Sequence, residues 1–175
     1  RSGGWYIEGV ITGPGGAPVD DVWIYADEGE TYIRNGLDAT GRTSEDGTFR
    51  VGPLVNTAFT LSIRTSDFDC TLIDKVIVVK PPASPTGTVN LPVQLEQGGL
   101  ISGRVMSGSP AKGIGSFYVS SISGDLKSYS YTSGTGHYLS DALPAGSYTV
   151  ACDNWGYKPQ YFDNKPDLKS ATKVA

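Results

Sequence analysis

The chain repeats itself, and the length of the repeat limits what it can build. Near the start it reads Trp5-Tyr-Ile-Glu-Gly-Val-Ile-Thr-Gly13, and about ninety residues on it reads Gly99-Leu-Ile-Ser-Gly-Arg-Val-Met-Ser107. Later in each half the match tightens. Gly47 to Leu61 aligns without a gap on Gly136 to Val150, with Phe49 on Tyr138, Leu54 on Leu143, Phe59 on Tyr148 and Leu61 on Val150. A repeat of this length is too long for a solenoid unit, so each half should own a core. Two domains are expected, 1–97 and 98–175, joined through the short linker Glu96-Gln-Gly-Gly99.

Composition narrows the class. Among 175 residues there are 23 Gly, 11 Pro and 10 Tyr, with many Thr, Val and Ser, which suits an all-β chain with many turns. Tyr6 to Thr12 places Ile7, Gly9 and Ile11 on one face. Val22 to Ala26 is apolar on both faces, and Trp23 and Tyr25 share a face expected to be core. Asp46-Gly47 marks a tight turn, because glycine tolerates positive φ. Phe59, Leu61 and Ile63 alternate inward against Thr60, Ser62 and Arg64. Lys75 to Val79 and Thr88 to Leu95 complete the first half. In the second half, strands are expected at 100–106, 116–120, 129–132, 136–140, 148–152, 161–162 and 169–174. Matched by pattern, Lys173-Val174 falls on Lys75-Val76, so the second half lacks a counterpart of Ile77 to Leu95, including the closing strand. Either a closing strand follows Ala175, or another chain supplies one by edge addition. The sequence opens at Arg1 with neither an initiator Met nor a signal peptide, and reads as a piece from the interior of a longer protein.

The two halves resemble the carboxypeptidase regulatory-like domain family, related to transthyretin-like and collagen-adhesin B-type domains. The first carries Ile7, Gly9, Ile11, Gly16, Pro18-Val19, Thr43, Asp46-Gly47, Phe49, Val51, Leu54 and Phe59 of that pattern. The second carries Ile101, Gly103, Val105, Gly136, Tyr138, Leu143, Gly146, Tyr148 and Val150, and the tail Gly156-Tyr-Lys-Pro-Gln-Tyr-Phe162. It departs where Gly134-Thr-Gly136 replaces the Asp-Gly turn. The resemblance implies two tandem prealbumin-like Greek-key β-sandwiches of about seven strands each. Such domains recur in secreted and surface proteins of bacteria and archaea. Some collagen-adhesin B-type domains form a Lys–Asn isopeptide bond from a Lys on the first strand, and no Lys stands on either first strand here.

Charge and motifs argue against most chemistry. The net charge is −4 with no basic patch, so nucleic acid is not an expected partner. No apolar run approaches the length of a membrane helix. The acids Asp20, Asp21, Asp27, Glu28 and Glu30 form a solvated loop without calcium-ligand spacing. His137 has no nucleophile motif beside it. Cys70 and Cys152 sit outside any CxxC motif, so no metal or cofactor is expected; whether they pair is left open.

The aromatics are the one lead to a ligand. Sugar rings stack their C–H faces on exposed indole and phenol rings, and their hydroxyls need amides nearby. Asp153 to Asn164 supplies both, with Trp155, Tyr157 and Tyr161 as stacking candidates and Asn154 and Asn164 as polar ones. The favoured expectation is a non-catalytic spacer or adhesion segment of a larger extracellular or cell-surface protein, partnered by the neighbouring domains of its parent chain. The alternative is a carbohydrate-binding accessory module of a secreted hydrolase or peptidase. A glycan or another surface protein is then the external partner.

Overall fold

The structure is a computed structural model, and it describes residues 4–29, 39–65, 71–84, 86–154 and 157–175. Tyr32, Cys70 and Trp155, all singled out above, lie outside the described residues. The chain is all-β in two compact units, Arg1–Gln97 and Gly98–Ala175.

In the first unit the alternation of Trp5, Ile7 and Ile11 makes β1 (Trp5–Thr12), which buries all three completely. Next come β2 (Trp23–Glu28), β3 (Ala39–Arg42), β4 (Thr48–Leu54), β5 (Phe59–Arg64), β6 (Lys75–Val79), β7 (Thr88–Asn90) and β8 (Val93–Gln94). One sheet has β1 at its centre, antiparallel to β4 on one side and parallel to β7 and β8 on the other. The other sheet runs β3–β2–β5–β6, all antiparallel. Inward residues of both sheets share one core: Trp5, Ile7, Ile11 and Val93 from one, Ile24, Leu61 and Ile63 from the other. Trp5 meets Phe59 edge-on at 5.9 Å and donates its indole N–H to the Val55 carbonyl at 2.6 Å.

The closing segment is one expected strand split in two. The break lies opposite Gly9, where a Cβ would come within 2.0 Å of the Leu91 carbonyl oxygen. Only glycine allows that approach, and across it the Leu91 N–H donates to the Glu8 carbonyl at 2.7 Å. The Tyr6 N–H bonds to Gly87 at 3.0 Å and the Leu95 N–H to Thr12 at 2.7 Å, so the seam runs the length of β1.

The face of the second sheet away from this core is also dry in part. Asp27, Thr60 and Ser62 are each at most 3% exposed. The Thr60 hydroxyl donates to the Gly29 carbonyl at 2.8 Å. Among the described residues, neither carboxyl oxygen of Asp27 nor the Ser62 hydroxyl has a hydrogen-bond partner. A buried polar group without a partner is costly. Asp27→Val, which also suits a strand, is therefore expected to stabilise the first unit by about 1–3 kcal/mol. A higher midpoint in chemical denaturation checks this.

The second unit holds β9 (Ser102–Arg104), β10 (Met106–Ser107), β11 (Lys112–Gly113), β12 (Tyr118–Ser123), β13 (Leu126–Tyr131), β14 (His137–Leu139), β15 (Tyr148–Asp153), β16 (Gln160–Tyr161) and β17 (Lys173–Val174). One sheet runs β13–β12–β15, with β16 and β17 both on the far side of β15. β9 pairs antiparallel with β14, and β10 with β11. The β12–β13 hairpin turns on Gly124-Asp125, Gly124 taking φ 57°. Gly136 (φ 84°) closes the Ser133–His137 turn with the same backbone bonds that Gly47 (φ 76°) makes between Ser44 and Thr48, although Thr135 stands in place of Asp46.

The edge strand corrects the expected match of Lys173-Val174 with Lys75-Val76. Val174 faces Tyr148 as Val79 faces Phe59, and Gln160 faces Cys152 as Lys75 faces Ile63. The two short strands are thus one edge strand interrupted by the excursion 162–172. Pattern matching without the pairing had shifted the register. The buried hydrophobics described here are Phe117, Val119, Leu143, Tyr148 and Val150. Ile101 and Val105 stay half-buried, whereas Ile7 and Ile11 are fully buried. Among the described residues no strand lies along the edge of β9 opposite β14.

Candidate functional site

The loop expected to carry a ligand begins where β15 ends. The Asn154 carbonyl accepts the Tyr157 N–H at 3.1 Å, and its side-chain amide donates to the Ser116 carbonyl at 3.0 Å. Asn154 thus anchors the loop to the start of β12. Tyr157 is 59% exposed, with one ring edge on the buried Phe117 at 5.0 Å. Tyr161 is half-buried in β16. Beyond it Asp163 and Asn164 take φ of 63° and 59°, a conformation that Asp and Asn tolerate better than most residues. The Gln160 amide donates to Asn164 Oδ1 at 2.6 Å, and Thr172 Oγ1 donates to Asp163 at 3.1 Å, so the excursion is closed by its own side chains.

The expected residues therefore divide. Tyr161 and Asn164 line a cavity of about 320 Å³ between the two sheets. Tyr157 and Asn154 sit instead beside Phe117 and Ser116. The cavity is floored by Val105, Val119, Tyr138, Val150 and Cys152. Burial pushes the Cys152 thiol above its ordinary value, and burial followed by the neighbouring Cys152 does the same to the Tyr138 phenol. A thiolate is the reactive species, so iodoacetamide should label Cys152 more slowly than a free thiol at pH 8. The rate should go on rising above the pH at which a free thiol has levelled off; mass spectrometry over a pH series reads this.

Three tyrosines form a surface that the sequence reading passed over. Tyr118 pairs across to Tyr131, their rings 4.1 Å apart, and Tyr129 lies on the same face opposite Ser120. All three are exposed, between 48% and 58%. The signal was legible in Tyr129-Ser-Tyr131, since residues two apart on a strand share a face.

Trp23 and Tyr25 correct an expectation. They stack with centroids 6.1 Å apart on the face away from the core, while Ile24 and Ala26 point inward. The Arg42 guanidinium lies over the Trp23 ring at 5.0 Å and pairs with Asp21. The cation–π contact covers one face of the Trp23 ring. His137 is exposed on β14. Among the described residues no group of three His, Cys, Asp or Glu side chains could hold a metal ion.

No protein-family model matches the sequence, and no curated protein matches it. Solved structures similar to the chain include the minor pilin GBS52 of Streptococcus agalactiae, at 10% identity and TM-score 0.41, covering 97% of this chain and 89% of that one. The Bacillus anthracis TIE protein is similar at 15% identity and TM-score 0.39, over 93% of this chain. A streptococcal ancillary pilin is similar at 10% identity and TM-score 0.37, also over 93%. The chain spans 31% of the TIE protein chain and 59% of the ancillary pilin chain.

Proposed function

We propose that the chain is a non-catalytic structural segment, a spacer or adhesion module, of a larger extracellular or cell-surface protein, built from two copies of one carboxypeptidase regulatory-like β-sandwich. Its partners are the neighbouring domains of the parent chain, and its work is mechanical. The observation that carries this reading is the seam between β1 and β7–β8. These strands are parallel, and they stand near the two ends of the first unit in sequence. Tension entering before Trp5 and leaving after Gln94 pulls them past each other along their length. The hydrogen bonds of a parallel ladder lie across that direction and must fail together, not one at a time. Such a unit holds under tension, and pulling single molecules by their ends measures it directly.

A second reading rests on the tyrosine face. Tyr118, Tyr129 and Tyr131 offer stacking surfaces for sugar rings, with Ser120 between them. A polysaccharide screen of the chain beside Tyr129→Ala and Tyr131→Ala separates the two readings. Binding lost in the variants favours a carbohydrate module, and no binding to any glycan leaves the spacer. The loop Asp153–Asn164 belongs in the same screen through Tyr157→Ala.

A further inference from the structure

We propose that Tyr118 and Tyr131 are a modification site. A one-electron oxidant couples their rings into a dityrosine, and the new carbon–carbon bond staples β12 to β13.

The hairpin brings the two phenols together. The Thr132 N–H donates to the Phe117 carbonyl at 3.0 Å, so residues 117 and 132 form a hydrogen-bonded pair and the pair types alternate from there. Tyr118 and Tyr131 come next and form a non-hydrogen-bonded pair. In that type the Cα atoms stand about 4.5 Å apart and the side chains approach most closely. The ring centroids are 4.1 Å apart at an interplanar angle of 46°, so ring carbons are in van der Waals contact. Both rings are exposed, and an oxidant in solution reaches each of them. Held this way, the two phenols meet as an intramolecular pair and not by diffusion.

The other tyrosines have different company. Tyr25 stacks on Trp23, Tyr157 packs on Phe117, and Tyr6 lies under the Arg50 guanidinium. Tyr148 is buried and donates its hydroxyl to the Pro144 carbonyl. Tyr129 faces Ser120 across the hairpin. Among the described residues no other two tyrosine rings are in contact. The second unit holds one cysteine, Cys152, so it forms no disulfide of its own. A bond between phenols supplies a covalent tie that its thiols cannot.

The chemistry balances. Each phenol gives one electron and its hydroxyl proton to the oxidant and becomes a phenoxyl radical, with spin on the carbons ortho to oxygen. The two radicals join through one such carbon each. Those carbons then lose their hydrogens as protons, and both oxygens are protonated again. One carbon–carbon bond forms, two carbon–hydrogen bonds break, and two electrons and two protons leave. Hydrogen peroxide, acting through a haem peroxidase, accepts them and becomes two molecules of water.

The test treats the intact chain at low concentration with a haem peroxidase and hydrogen peroxide. The expected product is a monomer lighter by two hydrogens, with dityrosine fluorescence and a rate of formation independent of protein concentration. Trypsin cuts after Lys127, between the two positions, so the staple holds peptides 113–127 and 128–169 together. Fragmentation should place the bond at Tyr118 and Tyr131. Tyr118→Phe keeps the ring packing but removes the phenol, and should abolish the coupling. In the urea-unfolded chain the preference for this pair should disappear. Pulled as single molecules, coupled chains should release roughly 40 Å less from the second unit, at about 3.5 Å per residue enclosed by the staple. Failure to form a coupled monomer, a bond that maps to another tyrosine, products that join two chains in its place, or coupling that survives Tyr118→Phe overturns the proposal.

Discussion

Truncating Trp5 to alanine is expected to cost the first unit about 3–5 kcal/mol, a large share of the stability of a domain this size. The ring is fully buried at the start of β1, where it meets Phe59 from the opposite sheet. Its removal opens a cavity between layers that backbone hydrogen bonding holds apart, so little collapse can repair it. The indole bond to Val55 is the smaller part, since Val55 is exposed and water can replace the donor. Trp5→Phe should recover most of the loss, leaving a deficit of about 1 kcal/mol from the missing bond. Guanidinium denaturation followed by tryptophan-independent circular dichroism checks both values. The transition of the second unit should not move.

Gly9→Val is the second large effect, and it acts on the seam itself. The new side chain would overlap the Leu91 carbonyl, which is backbone and part of the ladder. The strands must part, at a cost of about 3 kcal/mol or more. The equivalent change in the second unit, Gly103→Val, meets only the Tyr138 ring, whose far end can swing away. It should cost about 1 kcal/mol or less. Equal losses at the two glycines would contradict the difference between a closed and an open sandwich.

The all-β class and the inward alternation of Ile7, Ile11, Leu61 and Ile63 were readable from period and turn residues, because burial on one face of a strand writes itself every second residue. Three features were not. Trp23 and Tyr25 look like core in sequence because hydropathy ignores cations; Arg42, a cross-strand neighbour, covers the ring from outside. The register of the second edge strand was hidden by the excursion 162–172, which leaves two-residue strands too short to carry a period. The burial of Asp27 and Ser62 on an outward face depends on what covers that face, and a strand's own sequence does not record it. The candidate loop was half legible. Tyr161 and Asn164 reach the cavity, whereas its floor comes from β12, β14 and β15 and from Val105 between β9 and β10, scattered along the sequence.

The first unit is built to bear tension along the chain through the parallel ladder of β1 with β7 and β8. Pulling single chains by their two ends tests it most directly. Two ruptures should appear, the weaker first. The second unit yields at low force, because its terminal contact is the two-residue strand β17, peeled from β15. The first unit yields at markedly higher force and releases roughly 300 Å of chain at about 3.5 Å per residue. Gly9→Val should lower the higher force alone. If the first unit ruptures at the same force as the second, or below it, the seam is not a mechanical element and the spacer account fails.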